Sequence, residues 1–69
     1  MALSELFTVF SVAIIDWGDN IKTVDFGLDI AAAVKFAEKE SVFGNTDYTI
    51  LFNNGLPTFK YQDGEKVPA

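Results

Sequence analysis

The sequence predicts an α+β fold: the order ββαββ, with one antiparallel four-stranded sheet and a single helix packed on one face. Three observations carry this. Asp29 to Gly44, DIAAAVKFAEKESVFG, is the one stretch with a helical period. The stretches on either side alternate and are rich in β-branched and aromatic residues. Turn signals divide those stretches, Trp17-Gly18-Asp19-Asn20 before the helix and Asn54-Gly55 and Asp63-Gly64 after it.

Met1 to Glu5 reads as a short lead-in, with a helical turn at Ser4 and Glu5. Leu6 to Asp16, LFTVFSVAIID, is the first strand. Alternation puts Leu6, Phe10, Val12 and Ile14 on one face and Phe7, Val9, Ala13 and Ile15 on the other. Both faces are apolar, which places this strand in the sheet interior. Ile21 to Leu28 pairs back on it as a hairpin, with Val24, Phe26 and Leu28 on one face and Ile21, Thr23 and Asp25 on the other. Gly27 suggests a bulge just before the helix.

In the helix, Ile30, Ala33, Val34, Ala37 and Ser41 share a stripe, flanked by Phe36 and Phe43, while Lys35, Glu38 and Lys39 face away. Asp29 is the expected N-cap. Three consecutive alanines favour helix and let it lie close on a sheet. Gly44-Asn45 is the expected stop. Asp47 to Asn53 is the third strand, and Leu56 to Gln62 the fourth. Asn54-Gly55 between them matches a type I′ turn, which needs positive φ at both central positions. Pro57 has no N–H for a ladder, so the fourth strand begins at a sheet edge. Asp63-Gly64 is a further turn, and residues 65–69 read as a polar, flexible tail.

The chain's 69 residues make one small domain, 1–69, which buries only about 60% of its unfolded surface. With no Cys or His, neither a disulfide nor a zinc site supports it. Hydrophobic residues are 49% of the chain and seven are Phe, a composition suited to self-association. The net charge of −5, with no Arg, argues against nucleic acid or an anionic membrane as partner. Leu3 to Ile15 is shorter than the roughly 20 residues a span requires and lacks a basic leader pattern. A soluble, cytoplasmic protein is expected.

No catalytic constellation is visible. Ser4, Ser11 and Ser41 have no partner base in a known motif, and no phosphate loop or calcium loop is present. No catalytic, cofactor-binding or metal-binding residues are assigned. Ser11 and Ser41 read as small residues facing the interior. Asp16, Asp19 and Asp29 read as turn and cap residues, and Trp17 as either a plug at the hairpin end or an anchor for a partner.

In size, acidity and lack of Cys, the chain resembles the small accessory proteins of tailed phages, which include virion decoration proteins and inhibitors of host machinery. That resemblance implies association with other proteins, and a virion location if the source is a phage. The leading expectation is a non-enzymatic interaction module that forms a homo-oligomer through the sheet face opposite the helix. Its interface residues are Phe7, Val9, Ala13, Ile15, Trp17 and Ile21. One alternative is an acidic inhibitor of a basic or nucleic-acid-binding site on a host protein, presenting Asp16, Asp19, Asp25, Asp47 and Asp63. The other is a small enzyme or ligand-binding protein with its pocket at an oligomer interface. Tautomerases of that kind use an N-terminal proline, which this chain lacks.

Overall fold

The computed structural model describes residues 9–68. These residues form β1 (Phe10–Asp16), β2 (Ile21–Gly27), α1 (Ile30–Glu40), β3 (Thr46–Asn53), β4 (Leu56–Gln62) and β5 (Glu65–Val67). The strands make one antiparallel sheet in the order β2-β1-β3-β4-β5. The α+β class, the single helix and the antiparallel sheet follow the sequence expectation, but there are five strands rather than four. The expected start of the first strand at Leu6 and the lead-in before it lie outside the described residues.

β1 lies between β2 and β3, as its two apolar faces require. Val12 sits opposite Val24 on one side and Leu51 on the other, and Leu51 in turn sits opposite Phe59. Side chains directly opposite share a face, so this row runs across four strands on one side of the sheet. The core forms there: Phe10, Val12, Leu51 and Tyr61 pack with Ala33 and Ala37 of α1. Phe26, Val34, Phe36 and Phe59 close its margin. Phe26 and Phe36 meet with ring centroids 5.1 Å apart, tilted by 52°. Fully burying side chains such as Val12 and Leu51 contributes roughly 1.5–3 kcal/mol each.

The helix begins as expected. Asp29 caps it, its Oδ1 accepting from the Ala32 N–H at 3.0 Å. It ends earlier than Gly44. Ser41 is the C-terminal cap, and Gly44 is not in the left-handed region. The stop is tertiary: the buried Ser41 hydroxyl donates to the Glu38 carbonyl at 2.8 Å and accepts from the Gly64 N–H at 2.8 Å. A second buried hydroxyl, on Thr49 of β3, donates to the Ala37 carbonyl at 2.9 Å. The innermost residues of the stripe are therefore Ala33, Ala37 and Ser41. Ile30, expected on the buried stripe, is 48% exposed at the first position of the helix.

Glu65–Val67 forms a strand where the polar composition predicts a tail. The turn before it explains this. Asp63 and Gly64 have φ of 55° and 80°, the same left-handed pair seen at Asn54 and Gly55 with 52° and 83°. Both dipeptides fold the chain back as tight hairpins. β5 pairs only with Lys60–Gln62, which leaves the start of β4, with Pro57, as a free edge.

Candidate functional site

The register assigns each strand residue to a face. Ser11, Ala13 and Ile15 of β1 lie on the side away from α1. Ala13 is opposite Thr23 and Ile50, and Ile15 is opposite Ile21 and Tyr48. Phe52 is opposite Ser11, and Lys60 joins Ile50 to Val67. The result is an apolar sheet face made by Ile21, Tyr48, Ile50, Phe52 and Val67 around Ala13 and Ile15. No described element packs over it.

The six residues expected at an interface fall into different settings. Phe7 lies outside the described residues. Val9 is exposed just before β1, where its N–H donates to Asn54 Oδ1 and its carbonyl accepts from the Asn54 N–H, each at 2.7 Å. Ala13 and Ile15 are on the open face but only 5% and 6% exposed. Ile21 is 69% exposed at the start of the edge strand β2. Trp17 is 67% exposed in the turn between β1 and β2. Its indole Nε1–H donates to the Gly44 carbonyl at 3.1 Å, and its backbone N–H donates to the Asn45 carbonyl at 3.1 Å. That ties it to the loop after α1, at the end of the sheet.

The half-buried Tyr48, Ile50 and Phe52 complete the open face and were not singled out as interface residues. Their alternation is plain in the sequence, but which way it points depends on the β1–β3 register. One cation joins the face: Lys60 Nζ sits 4.3 Å from the centroid of the Tyr48 ring.

The acids have structural work. The Asp16 carboxylate accepts from the backbone N–H groups of Asn20 at 3.0 Å and Gly18 at 2.8 Å, and from Asn20 Nδ2 at 3.2 Å. Those donors, the Asn20 backbone first, hold it below the usual carboxylate range against a smaller opposing effect of desolvation. Asp19 and Asp63 occupy left-handed turn positions. Asp47 accepts from Gln62 Nε2 at 3.3 Å. Asp16, Asp19, Asp47 and Asp63 gather at one end of the sheet, whereas Asp25, opposite Ser11, lies toward the other. Among the described residues no group of three or more His, Cys, Asp or Glu side chains is arranged to hold a metal.

A groove of about 360 Å³ runs beside β4 and β5, lined by Thr58, Phe59, Lys66, Val67 and Pro68. Its one ionisable group, the Lys66 ammonium, lies 4.4 Å from the centroid of the Phe59 ring. Among the described residues no helix is long and apolar enough to cross a membrane. No protein-family model, curated protein or solved structure matches the chain.

Proposed function

We propose that the protein is a non-enzymatic interaction module that associates with a second copy of itself through the sheet face opposite α1. The role resembles that of a phage-type accessory or virion decoration protein. The observation supporting this reading is the apolar row Ile21, Tyr48, Ile50, Phe52 and Val67, over which no described element packs. Monomeric proteins rarely leave a contiguous apolar patch of more than a few hundred Å² in water. Pairing across a two-fold axis buries the same patch on both copies and returns roughly 25 cal/mol per Å². That gain matters to a domain with so small a core. Charge on this face is mixed rather than of one sign: Lys60 stands at its centre, and Asp25 and Glu65 lie toward its ends.

Sedimentation tests the proposal. The wild-type protein is expected to sediment as a dimer or larger species at micromolar concentration. Ile50→Lys, and separately Ile21→Lys, should yield a monomer with unchanged far-ultraviolet circular dichroism. A wild-type monomer under these conditions rules out self-association.

A further inference from the structure

A second surface, at the end of the sheet, has different chemistry. Trp17, Val42 and Phe43 are all exposed there. The loop after α1 sets them at the same end of the sheet: Trp17 bonds to Gly44 and Asn45, and the Thr46 N–H closes on the Phe43 carbonyl at 3.0 Å. The Trp17 indole has its one polar atom satisfied within the chain, so what it presents to solvent is apolar ring. Because that hydrogen bond also fixes the ring, little side-chain freedom remains to be lost on binding. Exposed, pre-positioned Trp is the residue type most often found at binding hot spots.

The surroundings are acidic. The β1–β2 turn brings Asp16 and Asp19, the last turn of α1 brings Glu40, and the β4–β5 turn brings Asp63 and Glu65. Lys39 in the last helical turn, Lys22 near the start of β2 and Lys66 near the start of β5 offset part of that charge. We propose that this end of the sheet docks a cationic, apolar-bearing segment of another protein, with Trp17 and Phe43 as anchors and the acids as the electrostatic rim. A second copy of this chain is the wrong occupant, because it would bring the same acids face to face. Nucleic acid and anionic lipid are excluded by the same sign of charge. Complementary rim charge steers association and makes it sensitive to salt.

Docking at this end is independent of self-association through the sheet face, and a different signal reads it. Trp17 is the sole Trp, so its emission reports this surface alone. The probe is a synthetic peptide of alternating Lys and Leu, titrated into the intact protein at low and high salt. A saturable blue shift is expected, weaker at high salt and absent with the matching Glu–Leu peptide. Asp19→Asn combined with Asp63→Asn keeps the left-handed turns, which Asn tolerates. It should weaken binding roughly tenfold. Asp25→Lys changes the net charge by the same amount at the far end and should leave binding near wild type. Phe43→Ala should weaken binding without altering salt dependence. No blue shift, a shift with the Glu–Leu peptide, or equal effects from the two charge variants would overturn the proposal.

Discussion

At the residue scale, two glycines in equivalent turns separate backbone strain from crowding. Gly55 has φ of +83° with nothing within 4 Å of where a Cβ would stand. Gly55→Ala therefore incurs only the left-handed penalty, about 1 kcal/mol. Gly64 has φ of +80°, but its Cβ would stand 3.1 Å from Val42 Cγ1. Its N–H also donates to Ser41. Gly64→Ala is expected to cost more than Gly55→Ala, because Val42 must also shift by a few tenths of an ångström. Urea denaturation of both variants checks the order, and equal losses would place Val42 elsewhere. Asp16 makes a second residue-scale prediction. Its carboxyl titrates lower in the folded protein than in the unfolded chain, so the unfolded state binds the proton first as pH falls. Its contribution is thus present above about pH 4 and lost as pH falls through the acid range. Asp16→Ala should be less stable than wild type at pH 7, with the gap narrowing by pH 3.

Element-scale behaviour centres on α1. Val34 packs against the core cluster beside Ala33 and Ala37. Val34→Asp puts a carboxylate against Phe and Val side chains and should cost about 2–4 kcal/mol, enough to unfold much of a domain with only a few kcal/mol in hand. Circular dichroism showing full helix content and an unchanged melting temperature would contradict the packing. The start of this helix was legible because its cap is local: Asp29 stands three residues before the N–H it satisfies. Its end was not, because the stop is set by Gly64, 23 positions beyond Ser41 in the chain. Reading Gly44 as the stop applied a local rule where a distant partner decided the matter. β5 is the opposite case. The Asp63-Gly64 signal equals Asn54-Gly55 in kind, but Glu65-Lys66-Val67 is too short and polar to show alternation. In the same way, Tyr48, Ile50 and Phe52 were recognisable as one face of a strand. Their membership of the open face came from register, and the tie of Trp17 to Gly44 and Asn45 came from the loop after α1. Neither is written in local spacing.

For the whole molecule, the sheet order divides the chain into two blocks. β1 and β2 are sequential neighbours, and so are β3, β4 and β5. One ladder joins the blocks: β1 to β3, running from Phe10 opposite Asn53 to Asp16 opposite Thr46. α1 belongs to the first block by sequence yet packs on strands of both. The connection between blocks is the loop after Ser41. Cutting the chain between Val42 and Phe43 would therefore give a ββα piece and a βββ piece whose sequential hairpins are all intact. Each piece would hold one half of the core and expose it. Separately produced, they are expected to be poorly ordered, and to recover helical circular dichroism when mixed. Recovery of helix on mixing would mark the β1–β3 ladder as the seam between two complementing fragments, with the helix as the clasp across it.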